Sequence, residues 1–451
     1  MKNDKGKISR RNFVISSSGL LAASAFASPL TSKFSAFRWL ASATESRELS
    51  DHLLMHLQIE GGADMLQSLD PMSMPANATE KEFYRDYGDS DIFVKGNVSL
   101  GPAAHALKPF IDQMAIVRGI WMSTGFEGSH ESCRTYMASG EDRGWQRSNI
   151  IPSEFSRFTG AGPFGAICNT SREFAMYIDA AGCTTSSQIQ GMDINSLSTQ
   201  GVLQSMLSPF GWTKPFQSRE QYARSGKEVS EFLKHLNAIK QDLGVSQLSD
   251  ERVIIEALGF GISAQAFFNC GGDFNGPGPG LDDHGGYVGS HLKDQTWHWQ
   301  KVAEIFKLCQ NVEFKKTGKS VFDQTTFIVT NEFSRPPHLG YSGGKDHNPE
   351  TNSTLLAGRG VRGGTVIGGS GFIKGAEATY PKHRLVGMPI DWKTGRALTE
   401  KEVGQIENAE HFPLIKPEHV IATLADIFGV NPAHYRPISK MPIRLLPALK
   451  A

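Results

Sequence analysis

The sequence predicts an α/β fold, and three observations carry that prediction. Short apolar runs rich in β-branched residues, such as Phe327-Ile328-Val329, are too short for helices and stop abruptly at polar residues and glycines. Longer stretches place apolar residues at helical spacing: Ser230 to Leu243, His291 to Val312 and Pro417 to Gly429. Glycine is frequent, at 47 of 451 residues, which suits long irregular connections over a sheet better than a helical bundle. In open α/β sheets ligands bind outside the carboxyl ends of the strands, so the strand ends are where chemistry is expected.

The N-terminus reads as an export signal. Ser9-Arg10-Arg11-Asn12-Phe13-Val14 is a twin-arginine pattern, followed by an apolar, small-residue run from Ile15 to Ala27. Ala25-Phe26-Ala27 and Ala41-Ser42-Ala43 are candidate cleavage sites. Residues 1–43 are therefore expected to be a signal peptide and short linker, residues 48–448 a single domain, and the mature protein periplasmic or extracellular after contact with the twin-arginine translocase. The alternative is a basic amphipathic N-terminal helix. Roughly 400 residues remain, enough for one large α/β domain or two smaller ones.

Composition excludes some classes. Lys+Arg and Asp+Glu balance at 46 each, so nothing electrostatic calls for nucleic acid or an anionic membrane. No later stretch is apolar enough for stable membrane insertion. The five cysteines (133, 168, 183, 270 and 309) lie far apart with no C-x-x-C pair, which disfavours a cysteine zinc site. Their odd number does not look like a disulfide framework, though export leaves room for one or two bridges that the sequence does not assign.

Along the chain, His52 to Ile59 is the first strand. It runs into Glu60-Gly61-Gly62-Ala63-Asp64, which puts the Asp64 carboxylate just past the strand end, as a metal ligand or as a helix N-cap. Residues 65–114 read as a loop-rich excursion. Ala115 to Ile120 is a second strand, leading to Gly128-Ser129-His130 and a helix from Ser132 to Ser139 closed by Gly140. Ser129 at a helix start is a good N-cap and a good place for a nucleophile, because a helix N-terminus favours negative charge. Residues 141–246 carry little signal before the Ser230–Leu243 helix, and Asp250 to Phe268 reads as a helix interrupted by Gly259 and Gly261. The glycine-rich turn Leu281-Asp282-Asp283-His284-Gly285-Gly286 holds a D-x-H pair, with oxygen and nitrogen donors suited to one ion. His291 to Val312 is a helix with Trp297, Trp299 and Phe306 as core residues.

The Phe327–Val329 strand ends in Asn331, Glu332, Ser334 and Arg335, then a Pro/Gly-rich loop reaches Lys345-Asp346-His347-Asn348. A carboxylate at a strand end and an Asp-His pair on the next loop are what a metal site on such a sheet needs; the plain alternative is a solvated loop with turn hydrogen bonds from Asp346 and Asn348. Ser353 to Ala357 and Thr365 to Ile367 are further strands, residues 371–412 are loop-rich, and Pro417 to Gly429 is a helix with Pro at its start and Gly at its end.

Together these clusters could hold one or two divalent ions beside a serine, and a pair of ions can clamp both oxygens of a phosphoryl or sulfuryl transfer. The residues resemble the domain-of-unknown-function 1501 family, exported proteins placed near the alkaline phosphatase and sulfatase superfamily. The resemblance rests on the twin-arginine leader, strand-Gly61-Gly62-x-Asp64, Gly128-Ser129-His130 followed by Gly140, Asp282-x-His284, Glu332-Phe333-Ser334-Arg335, Gly344-x-Asp346-His347 and Gly363-Gly364-x-x-x-Gly368. It implies an α/β/α sandwich around a mostly parallel sheet, alkaline-phosphatase-like. It implies metal binding by Asp64, Asp282, His284, Glu332, Asp346 and His347, with Ser129 as nucleophile and His130 and Arg335 in the catalytic set.

Two features depart from the superfamily pattern: the short Asp282–His284 spacing, and Phe333 where a histidine usually follows the strand-end carboxylate. No cysteine is followed by the C-x-[Pro/Ala]-x-Arg pattern, which argues against a formylglycine mechanism. The expected activity is hydrolysis of a phosphate or sulfate monoester, a small molecule or saccharide ester, with divalent ions: zinc first, then calcium, manganese or iron. The alternative is a non-catalytic exported binding or assembly protein on the same fold.

Overall fold

The computed structural model describes residues 51–76, 78–122, 128–141, 151–152, 155, 163–169, 183–192, 219–271, 278–374, 383–403, 414–431, 444–447 and 449–451. The twin-arginine leader, with its cleavage sites, lies outside the described residues, as do Trp145 and most of 141–218. Residues 49–451 cluster as one unit.

Eight strands form the central sheet: β1 (Leu53–Ile59), β2 (Met114–Arg118), β3 (Ala166–Cys168), β4 (Cys183–Thr185), β5 (Gln265–Asn269), β6 (Thr325–Asn331), β7 (Ser353–Gly358) and β8 (Thr365–Gly368), in the order β8-β2-β7-β6-β1-β5-β3-β4. Only β7 runs against its two neighbours; the other pairings are parallel. Five main helices accompany the sheet: α1 (His130–Ser139), α2 (Arg219–Leu243), α3 (Asp250–Phe260), α4 (His291–Asn311) and α5 (Pro417–Ile427).

Alternation along the strands explains the layering. Leu53, Met55, Leu57 and Ile59 of β1 join Phe327 and Val329 of β6 in a core with Ile254 and Leu258 of α3 and Trp299 and Phe306 of α4. Leu54 and Ile328 point the other way, into a second core with Tyr136 and Met137 of α1 and Val420, Ile421 and Leu424 of α5. Successive side chains of a strand face opposite sides, so one sheet supplies two cores and helices cover both. The result is an α/β/α sandwich with a mostly parallel sheet.

Local chemistry sets the helix ends. The Ser129 side chain accepts the Ser132 N–H and caps α1, which ends on left-handed Gly140 (φ 69°). Pro417 occupies the first turn of α5.

Three sequence expectations need correction. The helix expected over 250–268 stops at Phe260; left-handed Gly261 (φ 84°) caps it, and Gln265–Asn269 becomes the strand beside β1. All five residues of that strand are buried, so the alternation that marks a half-exposed strand is missing and the apolar run resembles buried helix. Within the 65–114 excursion, Pro102–Gln113 is a 3₁₀ stretch, and Phe93–Lys95 pairs with Val98–Leu100. The 371–412 segment contributes Ser370–Lys374 and His383–Gly387 to a hairpin.

Just beyond β1 the backbone closely approaches the segment that follows β6. A Cβ at Gly62 (φ 76°) would sit 2.3 Å from the Phe333 ring and 3.1 Å from Arg335 Nε. Gly96 (φ 59°) shares the left-handed backbone but has nothing within 4 Å. Gly96→Ala is expected to cost only the backbone strain, about 1 kcal/mol. Gly62→Ala adds a clash in a closely packed region and is expected to cost about 3 kcal/mol or more. Denaturant melts of the two variants side by side check the difference.

Candidate metal centre

The carboxyl ends of β1 and β6 lie side by side, in register from Leu53 opposite Thr325 to Ile59 opposite Asn331. Just above them α1 begins, and the 281–290 and 340–348 loops close in. Four side chains converge there, His130, Asp282, His284 and His347, with one donor atom from each lying within 4.8 Å of all the others.

The spacings fit one ion. Asp282 Oδ1 is 3.0 Å from His284 Nε2, 3.3 Å from His130 Nε2 and 3.5 Å from His347 Nε2, and the His284 and His347 Nε2 atoms are 3.1 Å apart. A tetrahedral zinc with ligands at about 2.0–2.1 Å has ligand atoms about 3.4 Å from one another. Three imidazole nitrogens and a carboxylate oxygen are also a donor set that zinc, iron and manganese accept.

Two of the three imidazoles, those of His130 and His347, are aimed from behind by a hydrogen bond. His130 Nδ1 is 2.5 Å from Glu332 Oε2, His347 Nδ1 is 2.7 Å from the Gly128 carbonyl, and His284 Nδ1 is 3.7 Å from Asp346 Oδ1. An acceptor on Nδ1 leaves the Nε2 lone pair for an ion, the usual arrangement around metal-binding histidines. Phe333 stacks on His347 with centroids 4.3 Å apart and packs edge-on against His130 at 4.9 Å. The phenylalanine that replaces an expected histidine therefore serves as an apolar wall that fixes two ligand rings.

Paired charges set the electrostatics of the centre. Burial works against the charged form of His130, but hydrogen bonds to Asp282 and Glu332 outweigh it and push its pKa up to about 10. Burial likewise opposes ionisation of Asp282, yet hydrogen bonds from His130, His347 and Arg335 hold its carboxyl well below the usual range. The site is also open. The His284 side chain is 49% exposed and that of Asp282 27%, so a further ligand can reach the centre from solvent.

The remaining site candidates sit elsewhere. Glu332 is buried and reaches the centre through His130 rather than directly. Asp346 is 81% exposed and accepts the His347 N–H at 2.8 Å, a turn role behind His284. Ser129 caps α1, and its hydroxyl lies 2.7 Å from that of Ser132.

Asp64 needs a correction. Its carboxylate is fully buried and taken up by the Lys345 ammonium at 2.8 Å, the Tyr287 hydroxyl and the Leu66 N–H at 2.9 Å, as a 3₁₀ cap and ion-pair partner instead of a ligand. Burial pushes the Lys345 pKa down and Asp64 opposes that shift. Arg335 is corrected as well: with no exposed surface it cannot clamp substrate. It donates to the carbonyls of Gly61, Gly62 (2.9 Å), Leu281 (2.8 Å) and Lys345 (2.9 Å) and to Asp282 Oδ1 (2.9 Å).

Three contributors escaped the sequence reading. Glu60 ends β1 as Glu332 ends β6, a signal visible once the strands are seen as neighbours. Arg134 lies one helical turn beyond His130, at a spacing that puts both on one face of α1. Lys345 precedes the Asp-His pair, but nothing in the sequence marks it as buried.

Residues 315–385 match the family described as "Protein of unknown function (DUF1501)". That segment contains Glu332, Phe333, Arg335, Lys345 and His347, while His130, Asp282 and His284 lie outside it. No curated protein matches the chain. Among solved structures, the lipoteichoic acid synthase LtaP from Listeria monocytogenes is similar at 7% identity over 73% of each chain, with a TM-score of 0.27. At that distance it bears on neither mechanism nor substrate.

Two substitutions separate the roles. Asp64→Asn breaks a buried ion pair and is expected to cost about 3–5 kcal/mol, read as a lower melting temperature, with metal content unchanged. Loss of metal from the folded variant would return Asp64 to the ligand set. At Gly344 a Cβ would lie 2.0 Å from the His284 carbonyl carbon. Gly344→Ala is expected to push the two ligand loops apart and weaken metal binding by about tenfold or more, measured by competition with a chromophoric chelator.

Proposed function

For a chain whose residues 315–385 are those of the DUF1501 family, we propose an exported metal-dependent hydrolase acting on a phosphate or sulfate monoester. The observation that carries the proposal is the convergence of His130, Asp282, His284 and His347 on one point, with the His130 and His347 imidazoles each backed by an acceptor on Nδ1. A divalent ion bound there would supply Lewis-acid polarisation of an ester oxygen.

The chain's own groups suit an anionic substrate. His130 is the first residue of α1, so the positive end of that helix lies at the centre. Glu332 keeps His130 oriented, and Arg335 keeps Asp282 in place without competing for the ester. The nucleophile role proposed for Ser129 rests on its position between Gly128, whose carbonyl holds His347, and His130. Export rests on the Arg10-Arg11 leader pattern.

A second reading has its own support. Four protein donors can complete a tetrahedral shell, which is what a structural ion requires. Under that reading the protein is a non-catalytic binding or assembly factor.

The test uses the full chain purified without chelators, its metal content and its turnover of p-nitrophenyl phosphate and sulfate. Wild type is expected to retain metal and hydrolyse one of the two esters, and Asp282→Asn and His347→Ala to lose both properties. A folded His347→Ala protein with full metal and full rate rules the proposal out; retained metal without turnover of any ester moves the protein to the second reading. Ser129→Ala is expected to abolish turnover with metal retained. If Ser129 serves only as a cap, that variant stays active and loses about 1 kcal/mol of stability.

A further inference from the structure

Two carboxylates stand at the neighbouring strand ends, and neither belongs to the four-ligand cluster. Glu60 follows β1 and Glu332 follows β6, and both are fully buried. Buried carboxylates need a cation. Here it is Arg134, itself only 5% exposed. Its Nη1 donates to Glu60 Oε1, and its Nε lies 3.7 Å from Glu332 Oε1. The other Glu332 oxygen accepts from His130 Nδ1 at 2.5 Å and from the Gly61 N–H at 3.2 Å.

A pair of strand-end carboxylates next to a three-histidine, one-carboxylate cluster is the inventory from which a second ion site could be assembled. We infer that this centre takes a single ion, and that the Arg134 guanidinium is the built-in cation at the second carboxylate pair. Helix geometry makes the arrangement possible. His130 and Arg134 are one turn apart on α1, so the helix brings an imidazole to Glu332 and a guanidinium to the gap between Glu332 and Glu60. A guanidinium is charged at any working pH and cannot be exchanged, unlike a bound ion.

The charges pair off around it. Asp64 has Lys345, Asp282 has Arg335, and Glu60 has Arg134 with Glu332 beside it. Arg134 is accordingly a positioning residue: it acts on the ion through Glu332 and the His130 ring.

The inference rests on the metal-centre reading above, and the experiment tells the two apart. Apo full-length protein is titrated with Zn²⁺ and, separately, Mn²⁺, and bound metal is counted after gel filtration. One equivalent at saturation is expected. Two equivalents on the folded wild type overturn the inference and leave the metal-centre reading standing, whereas no bound metal overturns both.

Arg134→Met tests the positioning role. It is expected to weaken binding of the one ion by about 10- to 100-fold, the usual effect of losing support behind a ligand. Arg134→Lys, which keeps the charge, is expected to recover much of that loss. A folded Arg134→Met protein that binds one ion at wild-type affinity removes Arg134 from this role. Should the Met variant not fold, the wild-type count decides between one ion and two.

Discussion

The buried guanidinium of Arg335 holds the upper edge of this molecule together. It reaches the carbonyls of Gly61 and Gly62 after β1, of Leu281 in the D-x-H loop and of Lys345 in the following loop, and it reaches Asp282 itself. Three segments far apart in sequence thus share one rigid planar donor. A lysine offers a single flexible ammonium and could not reproduce that fork. Without the bond to Arg335, Asp282 Oδ1 would not be fixed at the spot where three Nε2 atoms converge. The hydrogen-bonding partners behind the four converging side chains therefore help set where those side chains meet.

Ionisable groups crowd the strand ends, and nearly all have a counter-charge within reach. Asp64 meets Lys345, Glu60 meets Arg134 and Asp282 meets Arg335. Breaking such pairs is far more costly than their net contribution suggests, because it leaves a buried charge alone. The arrangement fixes loop positions more than it adds stability. Phe333 and Gly62 complete it: one wall of the centre is an aromatic ring, and the backbone of the turn after β1 lies so close to that ring that only glycine fits.

Much of this was legible in the sequence, for definite physical reasons. Strands that end in a sharp change from apolar to polar residues, as β1 and β6 do, announce both the sheet and its functional edge. The D-x-H pair and the Asp-His pair were visible as loop motifs, and Asp282, His284 and His347 do meet. The sequence could not show which carboxylates are neutralised from within. Asp64 and Glu332 look alike at a strand end, yet Lys345 claims one and His130 the other. Nor could it show β5, since a strand buried on both faces loses the alternation by which strands are recognised.

Among the donors of the four-residue cluster, His130 stands about 150 residues before Asp282 and His284, and His347 about 60 residues after them. The strands that hold them in place, β1 and β6, pair across more than 250 residues of intervening chain. The four donors lie between residues 130 and 347, and β1 extends the assembly back to Leu53. Forming the centre requires the sheet to close, and closure costs the entropy of the chain's longest connections. An ion that binds the finished site and not the open chain then favours the closed sheet by mass action. Under the metal-centre reading, metal supply would thereby act on the abundance of the folded protein.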